Sequence, residues 1–173
     1  MGGENLQEGI VIWITGLPNA GKTTISKHVE NELEKMGSLV ERIDSDEVPK
    51  SLTKELSSDW KKRQQKKSTN LIYVAQLLCK HNVIVLISSV GRLKEMRDIA
   101  RKSINNFVEV YLKYSLETRL QRDILEKYKR YPSTIYYYEE PDKPEIVINT
   151  HQVSTTDAAQ KIIHFLKNQG YLH

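Results

Sequence analysis

Residues 10–24 read Ile-Val-Ile-Trp-Ile-Thr-Gly-Leu-Pro-Asn-Ala-Gly-Lys-Thr-Thr, an apolar run that passes directly into a glycine-containing turn. From Gly16 to Thr23 the turn follows the spacing G-x-x-x-x-G-K-[ST], which is the pattern of a phosphate-binding loop. Such a loop requires a buried strand before it and a helix after it, and the apolar run predicts the strand. The stretch therefore predicts a site for a nucleoside triphosphate.

The chemistry of this loop explains its residue types. Gly16 and Gly21 allow the backbone to curl until its N–H groups point inward, and the following helix directs the positive end of its dipole to the same place. Lys22 adds an ammonium for the β- and γ-phosphates, and the Thr23 hydroxyl is placed to bind Mg²⁺. We therefore assign nucleotide binding to Gly16, Leu17, Pro18, Asn19, Ala20, Gly21, Lys22, Thr23 and Thr24.

The composition is that of an ordinary globular protein. The chain has 173 residues, 39% of them hydrophobic and 28% charged, and this length predicts one domain over residues 1–173 with a disordered lead-in at residues 1–8. No apolar stretch approaches the roughly 20 residues of a membrane span, so no membrane is expected as a partner. The lone cysteine, Cys79, excludes an internal disulfide and is typical of a cytoplasmic protein.

The charge is modest and does not favour nucleic acid. A net charge of +4 suits a protein that handles polyanionic small molecules. The main basic cluster, residues 61–67, has no aromatic residue among its lysines and arginine. We interpret it as a solvated helix face rather than an RNA-binding surface.

Apolar strand-like runs alternate with helical stretches along the chain. The predicted strands are residues 10–15, 39–44, 83–88, 107–112 and 145–148. The predicted helices are residues 22–36, 59–81, 93–103, 116–127 and 155–167. Because the strands are continuously apolar, we expect them to be buried on both faces of a parallel sheet. The pattern predicts an α/β fold, a doubly wound five-stranded parallel sheet flanked by helices, with a lid.

Polar side chains follow two of these strands, at the edge where such sheets bind ligands. Asp44 ends the second strand and Asp46 comes two residues later, where a carboxylate can hold metal-bound water or accept a proton from an attacking hydroxyl. Both are candidate catalytic residues, and either can be the base; the alternative is that they cap the next helix. Ser88 and Ser89 end the third strand and allow close approach of a substrate, whose phosphate Arg92 can meet. The alternative for Arg92 and Lys94 is a helix entry with solvated charges.

A basic segment and a tyrosine-rich segment suggest the lid. Residues 119–130 are basic, and residues 131–144 contain several prolines and tyrosines. A basic segment that leads into a loop is what a phosphoryl-transfer lid needs, because the lid must exclude water while its cations neutralise the charge of the phosphates. The candidate lid cations are Arg122, Lys127 and Lys129. The tyrosines either stack on a base or pack the loop onto the body.

With these motifs, the chain resembles the adenylylsulfate (APS) kinase family from residue 10 to about residue 167. The resemblance is carried by residues 11–24, residues 44–46, residues 83–97, Arg122-Asp123 and residues 138–150. It implies an ATP- and Mg²⁺-dependent kinase that phosphorylates the 3′-hydroxyl of adenosine 5′-phosphosulfate. It also implies catalytic roles for Lys22, Asp44, Asp46 and Arg122.

The acceptor side of the family pattern differs in this chain. The arginine after the family's Asp-Gly-Asp is missing near Pro49, and its Asp-Arg-x-x-Asn aligns with residues 63–67, Arg-Gln-Gln-Lys-Lys. We therefore expect other cations to hold the acceptor's phosphate, namely Arg63, Arg92, Lys50 and Lys94. The predicted substrate-binding residues are Asp46, Arg63, Ser88, Ser89, Arg92, Lys127 and Lys129.

Several acceptors stay open on this evidence. We rank adenylylsulfate first among the acceptors, because it is the usual acceptor of the family that the chain resembles. A cytidine nucleotide such as the diphosphoramidate ranks second. A kinase for a different metabolite and a nucleotide-binding module without acceptor chemistry are further alternatives. The expected partners are ATP and a small nucleotide acceptor, and a homodimer stays open.

Overall fold

Five parallel strands form one sheet. The computed structural model describes residues 7–54, 57–115 and 137–172. Its strands are β1 (Ile10–Thr15), β2 (Val40–Asp44), β3 (Ile84–Ser88), β4 (Phe107–Lys113) and β5 (Ile146–Asn149). They lie in the order β2-β3-β1-β4-β5, and each neighbouring pair is parallel. The five predicted strands are confirmed, each shifted by at most one residue at either end.

Both faces of the sheet are covered, which explains the continuous apolar runs. Every residue of β1 and β3 is buried. Successive side chains alternate between the two faces. Ile12 and Ile14 therefore belong to one apolar cluster, whereas Val11 and Trp13 belong to the other.

Helices on the two faces complete the predicted doubly wound fold. They are α1 (Lys22–Lys35), α2 (Lys50–Thr53), α3 (Trp60–Cys79), α4 (Lys94–Ser103) and α5 (Thr155–Asn168). Side chains of α1 and α5 join the apolar cluster on one face, and those of α3 and α4 join the cluster on the other. Helix α2 was not predicted, because four residues are too few to show a helical period. The predicted helix 116–127 lies outside the described residues.

The helix α3 begins at a capped residue. Asp59 Oδ1 accepts a hydrogen bond from the backbone N–H of Lys62 at 2.6 Å, which fixes the start of the helix. Although α3 has 20 residues, its first half is basic. Across the described ranges, none of the helices combines the length and the apolar character that crossing a membrane demands.

The strand register brings the predicted functional loops to one edge. Ile14 of β1 and Asp44 of β2 both lie opposite Ser88 of β3, so these three strands end level with one another. The phosphate loop follows β1 directly. The loop, Asp44 and Ser88 are therefore neighbours at the carboxyl edge of the sheet.

Candidate active site

The phosphate loop connects β1 to α1 and is tightly curled. Gly16 and Gly21 have φ angles of +142° and +96°, a backbone region that favours glycine. A Cβ atom on Gly16 would lie 2.7 Å from the carbonyl oxygen of Leu112, so the loop also lies too close to β4 for a side chain. The backbone N–H of Ile25 donates to the Gly21 carbonyl at 2.9 Å and begins the helix. The strand, loop and helix that the motif requires are all present.

The side chain of Lys22 folds back over its own loop. Its Nζ donates hydrogen bonds to the carbonyl oxygens of Gly16 and Leu17, both at 2.9 Å. Burial lowers the pKa of Lys22 to about 7, against the opposing effect of the Asp46 carboxylate. A phosphate beside this ammonium would favour its charged form, so the position suits an anionic ligand.

Thr23 and Asp44 meet beside the phosphate loop. Thr23 Oγ1 donates a hydrogen bond to Asp44 Oδ2 at 2.6 Å. The other carboxylate oxygen of Asp44 accepts a hydrogen bond from the backbone N–H of Asp46 at 2.9 Å. Arg42 Nη1 lies 3.6 Å from Asp44 Oδ2, and the Asp44 residue is only 3% exposed. Asp44 is thus a fixed, buried carboxylate next to the loop.

Neither acidic residue caps the next helix. Helix α2 follows Pro49, and no side chain accepts a hydrogen bond as its cap. The backbone carbonyl of Asp44 instead closes a turn, accepting hydrogen bonds from Glu47 and Val48 at 3.0 and 3.1 Å. The alternative interpretation of Asp44 and Asp46 as helix caps is therefore wrong.

Asp46 is exposed at the same edge and lies among cations. Among the neighbouring charges, the Asp46 carboxylate has the largest effect in raising the pKa of Lys22 and of Lys67, against the lowering effect of burial. Burial, together with the positive charges of Arg92 and Lys54, lowers the pKa of Lys67 to about 8. Lys67 therefore belongs to the site, although it was not among the predicted site residues.

The position of Lys67 corrects the interpretation of the basic cluster. Lys61, Lys62 and Lys66 are exposed, as expected for a solvated helix face. Lys67 and Arg63 are instead partly buried. The Arg63 Nη1 donates to the backbone carbonyl of Ser57 at 2.9 Å, next to the start of α3.

The two serines at the end of β3 lie beneath the surface of the site. Ser88 and Ser89 are each 2% exposed. The Ser88 carbonyl accepts a hydrogen bond from the Ser45 N–H at 3.0 Å, and the Ser89 carbonyl accepts one from Trp13 Nε1 at 3.3 Å. Their backbones thus support the loops around them, and a direct contact with substrate stays a prediction.

Arg92 holds a segment that crosses the carboxyl edge. We call residues 137–140 the strap. Arg92 Nη1 donates to the Tyr137 carbonyl at 2.8 Å, and the Arg92 carbonyl accepts from the Glu139 N–H at 3.0 Å. Because Arg92 is buried, its interpretation as a solvated charge is wrong. Lys94 does fit that interpretation, since its ammonium forms ion pairs with Asp98 and Asp142 at the surface.

The buried side chain of Arg97 also holds the strap, and the sequence did not predict a role for this residue in the site. It is 1% exposed, and its Nε donates to Glu109 Oε1 at 2.6 Å. Its two Nη atoms donate to the backbone carbonyls of Gly91 and Glu139. The guanidinium also lies 5.2 Å from the centre of the Tyr138 ring. One signal in the sequence was available: Glu109 interrupts the apolar run of β4, and a buried charge needs a buried partner.

The strap tyrosines pack against the body of the protein. Tyr138 OH lies 2.9 Å from Thr15 Oγ1, and its ring stacks on Tyr111 with 5.9 Å between centres. Burial raises the pKa of Tyr138 to about 12. Tyr137 meets Trp60 edge to face at 4.8 Å. For Tyr137 and Tyr138 the packing alternative is confirmed, whereas Tyr136 lies outside the described residues.

Replacing Arg97 by alanine is expected to lower the free energy of unfolding by about 3 kcal/mol or more, because the buried Glu109 loses its buried ion-pair partner and keeps only the partly exposed Arg101 among the described cations. The measurement is urea denaturation at neutral pH. Arg101→Ala is the control: Arg101 contacts Glu109 at 3.2 Å and also pairs with Glu145, but all of these contacts are partly exposed on the Arg101 side, so its loss should cost about 1 kcal/mol or less. Equal losses in the two variants would contradict the anchoring role of Arg97.

A cavity lies on the other side of the phosphate loop. Its volume is about 210 Å³, and it opens at the ends of β4 and β5. Leu17 and Ala20 of the loop form one side, and Tyr111, Tyr114 and Asn149 form part of the other. Since β1 lies between β3 and β4, the loop separates this cavity from the acidic edge at Asp44 and Asp46. The predicted lid cations Arg122, Lys127 and Lys129 lie outside the described residues.

The fold and the site define a class of protein. A parallel sheet in the order β2-β3-β1-β4-β5, with a phosphate loop after the central strand and carboxylates at the carboxyl end of β2, is the arrangement of a P-loop kinase.

Comparison with known proteins narrows this class. The adenylylsulphate kinase family model matches residues 8–149. Adenylyl-sulfate kinase from Halothermothrix orenii is 32% identical over 96% of this chain and 94% of its own, and that from a Synechococcus species is 33% identical over 96% and 98%. The APS kinase CysC from Mycobacterium tuberculosis, solved in complex with AMPPNP and APS, superposes with a TM-score of 0.82 at 26% identity, covering 93% of this chain and 99% of that one.

The chain therefore belongs to the adenylylsulfate kinase family. It is an ATP-dependent kinase with an alcohol group as acceptor.

Proposed function

We propose that the protein transfers the γ-phosphate of ATP to the 3′-hydroxyl of adenylylsulfate. The observation that carries this proposal is the grouping of the phosphate loop, Asp44, Asp46 and two cations at one edge of the sheet. The relatives support the acceptor, since they are named for adenylylsulfate and the Mycobacterium tuberculosis enzyme was solved with APS. They do not favour the cytidine nucleotide.

In this proposal ATP lies along the phosphate loop. Residues 16–24 bind its phosphates, and the ammonium of Lys22 exchanges its two carbonyl partners for phosphate oxygens. The cavity beside Leu17 and Ala20 receives the adenine, because it is partly aromatic and adjoins the loop. The acceptor then occupies the opposite side, at the ends of β2 and β3.

The Thr23–Asp44 pair fits Mg²⁺ by the chemistry of its donors. A hydroxyl and a carboxylate oxygen, 2.6 Å apart, are the hard ligands that Mg²⁺ prefers. The described residues contain no group of three or more His, Cys, Asp or Glu side chains that could hold a metal. This suits Mg²⁺, which keeps waters and substrate phosphates among its ligands. When bound, it neutralises charge on the phosphates of ATP.

Asp46 is the general base in this proposal. Both carboxylate oxygens of Asp44 already accept hydrogen bonds, one from Thr23 and one from the backbone of Asp46. The Asp46 side chain is exposed at the edge where an acceptor can reach it. Asp46 therefore accepts the proton of the attacking hydroxyl, while Asp44 positions Thr23.

Other expectations stay predictions. They are the roles of Arg122, Lys127 and Lys129, substrate binding by Arg63, the single domain, the cytoplasmic location and a homodimer.

The deciding experiment compares acceptors with the purified protein at equal concentrations of ATP and Mg²⁺. We expect kcat/KM for adenylylsulfate to exceed that for cytidine nucleotides by at least about tenfold. The measurement is phosphorylated product, separated by chromatography. A preference for the cytidine diphosphoramidate would overturn the acceptor, and ADP release without any phosphorylated product would overturn the kinase reaction itself.

A further inference from the structure

The hydroxyl of Thr15 joins three separate segments of the chain. Thr15 ends β1, directly before the phosphate loop, and is fully buried. Its Oγ1 donates a hydrogen bond to the Val90 carbonyl at 2.6 Å and lies 2.9 Å from the Tyr138 hydroxyl. A hydroxyl carries a single proton, which Thr15 gives to Val90, so Tyr138 is the donor in the second bond. Tyr138 can donate at neutral pH, since burial raises its pKa to about 12.

The first of these segments follows β3 and is held along its whole length. We call residues 89–92 the β3 loop. Its four backbone carbonyls accept hydrogen bonds, in chain order, from Trp13 Nε1, Thr15 Oγ1, Arg97 Nη1 and the Glu139 N–H. Gly91 has a φ of +55°, and a Cβ atom there would lie 3.1 Å from the Trp13 ring. Of the four donors, Thr15 is the one that adjoins the phosphate loop, so its bond fixes the two loops relative to each other.

The second segment is the strap, which reaches Thr15 from the other side. The Tyr138 ring stacks on Tyr111, and Tyr111 lies opposite Thr15 in the pairing of β1 with β4. The stack therefore places the Tyr138 hydroxyl over the end of β1. The strap and the β3 loop are thus both bonded to one oxygen atom, at the residue from which the phosphate loop begins.

This arrangement has a consequence for phosphoryl transfer. In the proposed function the transferring phosphate lies on residues 16–24, and the acceptor lies at the ends of β2 and β3. Transfer requires the reacting atoms to lie about 3–3.5 Å apart, and a misplacement of about 1 Å can lower the rate about a hundredfold. The relative position of the phosphate loop and the β3 loop therefore affects the rate of transfer more than the binding of either substrate.

We propose that Thr15 is a positioning residue of the transfer reaction, whose hydroxyl aligns the acceptor side of the site with the phosphate loop. The inference rests on the proposed function, which places the acceptor beside the β3 loop. Because Thr15 is buried, it acts through the segments that it joins and not by contact with a substrate. ATP binding should survive its loss, since the phosphate loop keeps its own bond between the Ala20 N–H and the Leu17 carbonyl.

The test is Thr15→Val, which keeps the shape of the side chain and removes the hydroxyl. We expect the single-turnover rate of phosphoryl transfer to fall about 10- to 100-fold. The Kd for AMPPNP, measured by calorimetry, and the KM for the acceptor should change less than about threefold. Thr15→Ser keeps the hydroxyl and should retain most of the rate. Thr69→Val, at an exposed threonine of α3, is the matched control and should leave all three values unchanged.

Three kinetic outcomes would overturn the inference. An unchanged transfer rate in Thr15→Val would show that the hydroxyl does not align the substrates. Weaker AMPPNP binding with an unchanged rate would show that Thr15 supports only the phosphate loop. Equal losses in Thr15→Val and Thr15→Ser would show that the hydroxyl is not the cause.

A second variant keeps the inference testable if Thr15→Val does not fold. Tyr138→Phe removes only the bond to the strap and keeps the ring that stacks on Tyr111. Its transfer rate should fall at least about threefold, in line with the loss of one hydrogen bond, with AMPPNP binding unchanged. A wild-type rate in this variant would overturn the link between Thr15 and the strap.

Hydrogen exchange, followed by mass spectrometry, tests the link without turnover. Residues 89–93 and 137–141 should exchange at least about fivefold faster in Thr15→Val than in the wild type, since a hydrogen bond contributes about 1 kcal/mol. Residues 16–24 should exchange at the wild-type rate, and Thr15→Ser should resemble the wild type throughout. Equal exchange of both segments in Thr15→Val and the wild type would overturn the inference.

The inference and the proposed function can fail separately. The wild type alone decides the proposed function, through the comparison of acceptors. The role of Thr15 is decided by the ratio of variant to wild-type rate, measured with the acceptor that the wild type phosphorylates. A wild type that prefers another acceptor would therefore overturn adenylylsulfate as the substrate, while the ratio would still decide the role of Thr15.

Discussion

Replacing Lys22 by alanine is expected to lower kcat by about a thousandfold or more and to leave the protein folded. In the proposed mechanism its ammonium contacts the transferring phosphoryl group, so its charge matters most in the transition state. The fold should survive, because the hydrogen bonds that Lys22 forms with the described residues go to carbonyl oxygens of its own loop, and its burial opposes its charged form. The measurement is ADP and phosphorylated product in a single turnover, with circular dichroism to check the fold.

The control for this variant is Lys27→Ala. Lys27 lies on the same helix but is exposed, and its ammonium pairs with Glu47. It should retain nearly full activity. If Lys22→Ala turned over at a rate close to that of Lys27→Ala, the assignment of the phosphate loop would be wrong.

The Asp46→Asn variant is expected to lower kcat by about a hundredfold or more, in line with the loss of a general base. An amide keeps the shape of the side chain but cannot take the proton of the acceptor hydroxyl. Asp44→Asn should act differently, raising the Mg²⁺ concentration needed for half-maximal rate, because Asp44 holds Thr23. Initial rates over a Mg²⁺ titration separate the two effects.

Asp98→Asn serves as the control, since Asp98 is an exposed carboxylate that pairs with Lys94. Normal turnover in both Asp44→Asn and Asp46→Asn would mean that the carboxylates only shape the turn after β2. A metal-dependent defect in Asp46→Asn, with kcat restored at high Mg²⁺, would exchange the two proposed roles.

The sheet and the phosphate loop were predictable because their signals are local. The five apolar runs report burial on both faces, and this burial depends on the covering helices rather than on any one distant contact. The loop motif fixes its own geometry through Gly16 and Gly21. The location of Asp44 at the same edge followed from the rule that parallel strands end together.

The position of the strap was not predictable, because the contacts that hold it join residues far apart in the sequence. Arg97 and Glu109 meet through packing of α4 on β4, and only the odd placement of a charge in an apolar strand hints at their pairing. The partial burial of Lys67 was only weakly indicated by the sequence. Lys67 stands four residues before the buried Leu71, so the two side chains lie on the same face of α3. Within a cluster of like charges this signal is easily taken for a solvated face.

The phosphate loop carries its own scaffold, and this has a thermodynamic consequence. Its curvature is held by a hydrogen bond from the Ala20 N–H to the Leu17 carbonyl at 3.3 Å and by the close approach of Gly16 to β4. Ordering a flexible segment costs roughly 1–2 kcal/mol of conformational entropy per residue. Because folding already meets this cost for the loop, nucleotide binding does not have to, and the affinity for a triphosphate reflects contacts rather than the ordering of the chain that makes them.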